Sequence, residues 1–184
     1  MANQNHDAYK VVIIGNGGVG KTTFIKRLMG INDNDIQTGR YIVTSAYARY
    51  DLHLNTNHGV VRFDVWDTSG QEPPGVLREE YYQNSDAGII MFALSANPSF
   101  VNVKMWDDDL CSVVPNIPRV LIGNCADEHQ KVKERSISGI TRRRSFEEYI
   151  KMTATTDRTD KLAEPFLRFA EKLMELSPNT LHLV

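Results

Sequence analysis

Gly15-Asn16-Gly17-Gly18-Val19-Gly20-Lys21-Thr22 fits the pattern G-x-x-x-x-G-K-[S/T]. Glycines at this spacing let consecutive backbone N–H groups converge on phosphate oxygens, and a helix starting at the lysine adds the positive end of its dipole. Lys21 is placed to bridge neighbouring phosphates, and Thr22 offers a hard oxygen to Mg²⁺. The candidate phosphate contacts are therefore Gly15, Gly17, Gly18, Val19, Gly20, Lys21, Thr22 and Thr23. Further on, Asp67-Thr68-Ser69-Gly70-Gln71-Glu72 closes a hydrophobic run. A carboxylate there can hold Mg²⁺ through water, the Gly70 N–H can sense a terminal phosphate, and Gln71 can orient an attacking water. D-x-x-G alone is common in turns; downstream of a phosphate loop it gains meaning.

The third constellation is Asn124-Cys125-Ala126-Asp127. An aspartate at this place can accept from guanine N1–H and the N2 amino group, each charge-assisted bond contributing about 1.5–3 kcal/mol. Adenine offers neither donor, so the buried carboxylate would be left unpaired against it. The expected ligand is GTP or GDP with Mg²⁺.

These motifs must be positioned by something. Val11-Val12-Ile13-Ile14 is a β-branched run read as a buried strand, and Thr22 to Met29 has helical spacing. Tyr47 to Leu54 and Val60 to Trp66 flank Asn57-His58-Gly59, the pattern of a hairpin. Strands are expected at Gly88–Leu94 and Arg119–Ile122, with Met152–Ala154 ending a short one; helices are expected over Phe100–Val114 and about Lys161–Leu176. Asn97-Pro98 and Pro115 to Pro118 read as loops, because proline and its predecessor disfavour helix. Short apolar runs alternating with helical patterns define an α/β fold around a parallel sheet, here a P-loop NTPase.

At 184 residues the chain fits one domain, and 41% hydrophobic with 24% charged residues suits a packed core. A net charge of −2 argues against a nucleic-acid binder. Cys111 and Cys125 form no C-x-x-C pair, which reads as a reducing compartment with no disulfide framework. No apolar run reaches membrane-span length, Ala2 excludes N-myristoylation, and Leu181-His182-Leu183-Val184 offers no cysteine to prenylate, so no membrane anchor is expected in this chain. Arg142-Arg143-Arg144, with Lys131, Lys133 and Arg135 nearby, reads either as a solvated face or as a landing site for an acidic protein. Trp66 and Trp106 read as packing residues, Trp66 bordering the Asp67 motif.

With the three motifs in this order the chain resembles the Ras superfamily, most closely the Ran (nuclear-transport GTPase) family. The likeness runs from about Tyr9 to the C-terminus and rests on Val65-Trp66-Asp67-Thr68-Ser69-Gly70-Gln71-Glu72, Leu77-Arg78, Tyr81-Tyr82, Ile89 to Phe92, Asn116-Ile117-Pro118, the Arg142–Arg144 patch and Pro165-Phe166. The resemblance implies a three-layer α/β/α sandwich on a six-stranded, mostly parallel sheet with one antiparallel strand. It implies residues 1–9 as a flexible N-terminus, 10–178 as the GTPase domain and 179–184 as a tail. Thr44 is similar to the family threonine that meets Mg²⁺ and γ-phosphate, and segments Thr38–Ala48 and Gly70–Leu77 are expected to move with that phosphate. Thr153-Ala154-Thr155 stands where the family has Ser-Ala-Lys, with the Ala154 N–H placed to meet guanine O6; Cys125 stands where it has the lysine that covers the base. The acidic tail typical of Ran is absent from this chain. The implied partners are an exchange factor, a GTPase-activating protein and importin-β-like transport receptors, around a monomer found in nucleus and cytoplasm. Two other readings stay open: a low-turnover nucleotide-binding module, supported by Ser69 and the lost lysines, and a Rab-type trafficking GTPase.

Overall fold

The computed structural model describes residues 8–31, 47–71 and 78–184; Thr44, and stretches 38–46 and 72–77 of the two segments expected to move, lie outside the described residues. Six strands form one sheet: β1 Tyr9–Ile14, β2 Tyr47–Thr56, β3 Gly59–Thr68, β4 Ala87–Ala93, β5 Arg119–Asn124 and β6 Glu148–Lys151, in the order β2-β3-β1-β4-β5-β6. Only the β2–β3 pair is antiparallel, and the other neighbours run parallel. Described helices are α1 Lys21–Leu28, α2 Arg78–Tyr82, α3 Asn97–Val101, α4 Val103–Val113, α5 Glu134–Arg143 and α6 Thr159–Leu173. None is long and apolar enough to cross a membrane.

The alternation along β1 sorts the layers. Val11 and Ile13 face a core shared with Phe24 and Ile25 of α1 and Leu162, Phe166 and Phe169 of α6. Val12 and Ile14 face a second core built with Tyr81 and Tyr82 of α2, Trp106 and Leu110 of α4 and Ile137 of α5. A strand buried on both faces reads as an unbroken apolar run, and that is why Val11–Ile14 shows no polar position. The result is the expected three-layer α/β/α sandwich.

Several boundaries differ from the sequence expectation. The helix expected over Phe100–Val114 starts earlier, at Asn97, and is interrupted for one residue at Asn102. Pro98 does not hold it off, because proline in a first helical turn lacks an N–H that would have no partner anyway. The short strand expected to end at Met152–Ala154 ends earlier, spanning Glu148–Lys151, and leaves Met152–Ala154 in the loop that follows. Tyr9, assigned to the N-terminal arm, is the first residue of β1, paired with Phe63.

Residues 179–184 fold back on the β2–β3 hairpin. Asn57 N–H donates to His182 O at 3.1 Å, Val184 N–H to Asn55 O at 3.1 Å, and Leu183 bridges Thr56 in antiparallel sense. The Leu181 N–H donates to the buried Glu171 carboxylate at 2.9 Å.

Candidate functional site

In an open α/β sheet, ligand loops gather beyond the carboxyl ends of the strands, at the point where strand order reverses. Here β1 leaves the sheet centre between β3 and β4, and the Gly15–Thr22 loop follows its last residue. β3 delivers Asp67 and, just beyond its end, Gly70 and Gln71; β5 delivers Asn124 to Asp127, and β6 leads into Thr153–Thr155. The three motifs therefore meet along one edge of the sheet, with Thr44 outside the described residues.

The loop after β1 is held by short internal bonds. Lys21 is buried and its Nζ donates to Gly15 O at 2.8 Å and to Asn16 O at 3.0 Å. Burial pushes its pKa down to about 8, with the Asp67 charge opposing. Gly20, in the left-handed region at φ 96°, caps α1 without a side chain, and its carbonyl accepts the Phe24 N–H at 2.9 Å. Gly15 admits no side chain: a Cβ would lie 2.1 Å from Met91 O. A Cβ on Gly70 would lie 2.2 Å from Gly17 N, and the Gly17 N–H donates to Gly70 O at 3.1 Å. The two loops assigned to phosphate thus touch backbone to backbone.

The Thr22 hydroxyl donates to Asp67 Oδ2 at 2.6 Å. Asp67 is fully buried, its carboxyl is pushed up by that burial against the Thr22 bond and the Lys21 charge, and its Oδ1 has no hydrogen-bond partner among the described residues. A buried carboxylate oxygen without a partner is costly unless something supplies charge or a donor. Hydroxyl and carboxylate oxygen together suit a hard divalent cation with its waters, so the donor set fits Mg²⁺.

At the other end Asn124 acts as a bracket. Its Nδ2 donates to Val19 O at 2.9 Å, and its Oδ1 accepts the Ala154 N–H at 2.9 Å. One buried amide therefore joins the phosphate loop, β5 and the loop after β6. The Ala154 N–H, expected to meet the base, is engaged by Asn124 here. Thr153 Oγ1 reaches Asp127 Oδ1 at 3.3 Å, while Asp127 and Thr155 are exposed. Cys125 sits at φ 58° and is half-buried against the first core. Burial, then the Glu128 and Asp127 charges, push its thiol up to about 11, so it behaves as a small apolar side chain.

Gln71 is exposed, and its N–H donates to Ser69 Oγ at 3.3 Å. One reading needs correction, and a second, Trp106 as a packing residue, holds but is incomplete. Arg144 does not belong to an open basic patch: it donates to Asp107 Oδ2 and to Asp108 Oδ1, and Arg119 Nη1 donates to Asp107 Oδ1 at 2.6 Å. Arg142 and Arg143 stay exposed. Trp106 does more than pack, because its indole N–H donates to Asn16 Oδ1 at 2.8 Å, inside the phosphate loop. No local motif announces that bond, which joins residues ninety apart in sequence.

A glycine-lined loop after the central strand, a lysine folded over it and a threonine hydroxyl bonded to a buried aspartate define a P-loop nucleotide-binding domain. Residues 10–175 match the model of the Ras family, and the chain belongs to that family. It is accordingly a small GTPase, a domain that switches between GTP-bound and GDP-bound states and hydrolyses GTP. Ras-family GTPases bind their nucleotide with Mg²⁺.

Proposed function

We propose that this GTPase is a Ran-like switch in nucleocytoplasmic transport, shared between nucleus and cytoplasm, whose GTP form holds importin-β-like carriers and whose hydrolysis releases them. The observation that carries the reading is where the Ran-like residues fall. Trp66 stacks on Tyr47 with centroids 5.0 Å apart, and Tyr47 packs on Tyr81 at 4.9 Å. Lys10 Nζ lies 4.0 Å above the indole and the Arg49 guanidinium 4.7 Å from it. This aromatic and cationic face is centred on Trp66 of β3, the strand that runs into Gly70 and Gln71, with Lys10 from β1, Tyr47 and Arg49 from β2 and Tyr81 from α2 around it. A carrier reading it would sense the state of that loop.

In this reading Gly15, Gly17, Gly18, Val19, Gly20, Lys21, Thr22 and Thr23 hold the phosphates. Thr22, Thr44 and, through water, Asp67 hold Mg²⁺, which when bound neutralises phosphate charge. Gly70 senses the γ-phosphate and Gln71 orients the attacking water. Asn124, Cys125, Asp127, Thr153, Ala154 and Thr155 surround the base. For Ala154 to meet the base, its N–H must be shared with or released from Asn124. An exchange factor and a GTPase-activating protein complete the cycle. The test is affinity capture with the Gln71→Leu chain loaded with GTP or GDP. Importin-β-like carriers held by the GTP form alone are expected; carriers absent from both forms, with trafficking effectors in their place, would favour a Rab-type role.

A low-turnover module is the second reading, favoured by Ser69, whose hydroxyl takes the Gln71 N–H, and by the missing lysines at 125 and 155. Single-turnover hydrolysis with and without a GTPase-activating protein separates the two. Intrinsic rates near 10⁻⁴–10⁻³ s⁻¹ that a partner accelerates are expected for the switch, as an order of magnitude.

A further inference from the structure

Asn16 is the one long polar side chain in the first half of the phosphate loop. Its carboxamide oxygen accepts two hydrogen bonds, from Trp106 Nε1 at 2.8 Å and from Asn102 Nδ2 at 3.3 Å. Asn102 is the residue that separates α3 from α4, and Trp106 follows one turn later, its own N–H bonded to Asn102 O at 3.1 Å. Trp106 is 3% exposed, so its indole N–H has almost no access to water as an alternative acceptor. The backbone of Asn16 is held too, since its carbonyl takes the Lys21 ammonium and the next N–H, that of Gly17, goes to Gly70 O.

Gly17 and Gly18 are exposed, and glycines lose more conformational freedom on ordering than any other residue. A loop that must be ordered when ligand arrives binds more weakly than one ordered beforehand. The geometry points to Trp106 and Asn102 as positioning residues for the phosphate loop: by clamping the Asn16 side chain they fix the Asn16–Gly17 peptide, and so tighten binding of guanosine diphosphate. This rests on the phosphate-cradle reading of residues 15–22. Neither residue touches ligand; both act through Asn16.

The experiment measures release of fluorescently labelled GDP, together with urea midpoints, for the full chain and for Trp106→Phe, Asn16→Ala and their combination. Trp106→Phe keeps most of the ring and removes the donor. Each single variant should release GDP about three- to tenfold faster, and Asn102→Ala about twofold, as loss of one hydrogen bond predicts. The combined variant should be no faster than the faster single one, because both remove the same bond. Hydrogen exchange of residues 16–20 in the nucleotide-free chain should rise in both single variants. Release at the wild-type rate with a lowered urea midpoint would make Trp106 a core residue only and overturn the inference. So would effects that multiply in the combined variant. If the unaltered chain holds GDP no better than Lys21→Ala, the cradle reading itself fails, and the inference with it.

Discussion

The two ends of the nucleotide site are built on different principles. At the phosphate end close backbone approach excludes a side chain at two positions: Gly15 has Met91 O where a Cβ would be, and Gly70 has Gly17. At the base end side chains tie the loops together: Asn124 bonds Val19 on one side and Ala154 on the other, and the Asp157 carboxylate accepts the Thr153 N–H at 2.7 Å. Around that bracket the neighbours have drifted, with cysteine at 125 and threonine at 155 where the family has lysines. A contact made by backbone tolerates almost no substitution. A covering surface made by side-chain stems can be lost piece by piece, with affinity falling in small steps.

The comparison breaks most sharply at Gly15. Gly15→Ala should destabilise the fold by about 3 kcal/mol, combining overpacking against Met91 O with a side chain at φ 141°, read as a shift in urea midpoint. A wild-type midpoint would show that the phosphate end has slack. Next comes Lys21→Ala, which removes a buried cation and should weaken GDP at least tenfold, about 1.5–3 kcal/mol, by titration in Mg²⁺. An unchanged affinity would dismiss the cradle.

The same lysine sets a pH dependence. Its pKa of about 8 in the free protein should rise when phosphate oxygens surround it, so binding takes up a proton once the pH exceeds 8. GDP affinity should therefore fall above pH 8, by up to about tenfold per unit, and Lys21→Arg, which stays charged, should flatten that part of the profile. A profile shared by both chains would assign the fall to another group. Stability of the free protein moves the opposite way. Lys21 holds fewer protons folded than unfolded between pH 8 and its ordinary 10.5, so its contribution improves as pH rises through that window.

The smallest effect belongs to the base end. Cys125→Lys should tighten GDP by about 1 kcal/mol if the stem covers some ~40 Å² of apolar surface at roughly 25 cal/mol per Å². Maleimide labelling of Cys125 near neutral pH should be slow with or without nucleotide, since the thiol is pushed up to about 11. Rapid labelling that GDP suppresses would instead show a thiol that is open to solvent in the free protein and covered by the base when nucleotide binds.

Much of the fold was legible in the sequence because β-branched runs and hairpin alternation are local signals. Val11–Ile14 and the pair around Asn57-His58 needed no long-range information. α5 was missed because only Ile137 and Ile140 mark its apolar face, and Ser136, Ser138, Gly139 and Thr141 around them are weak helix formers. β6 was misplaced because it is an edge strand with a single fully buried residue, Ile150. In the candidate site the motif residues were visible, but what holds them was not. The Trp106–Asn16 and Asn124–Ala154 bonds depend on strand order, and Arg144 looked available until the fold brought Asp107 beneath it.

The returning chain end at residues 181–184 also bears on how separate molecules of this protein meet. β2 is an edge strand, and an open edge is a template on which another chain can add strands and begin to aggregate. Arg49, Asp51 and His53 place ionisable side chains along β2, the kind of decoration that discourages such addition. At the hairpin tip, beyond those residues, the backbone groups of Asn55 and Asn57 are already taken by Val184 and His182. The protein thus occupies the tip of its own sheet edge, and a second molecule would have to peel the chain end away before it could stack there.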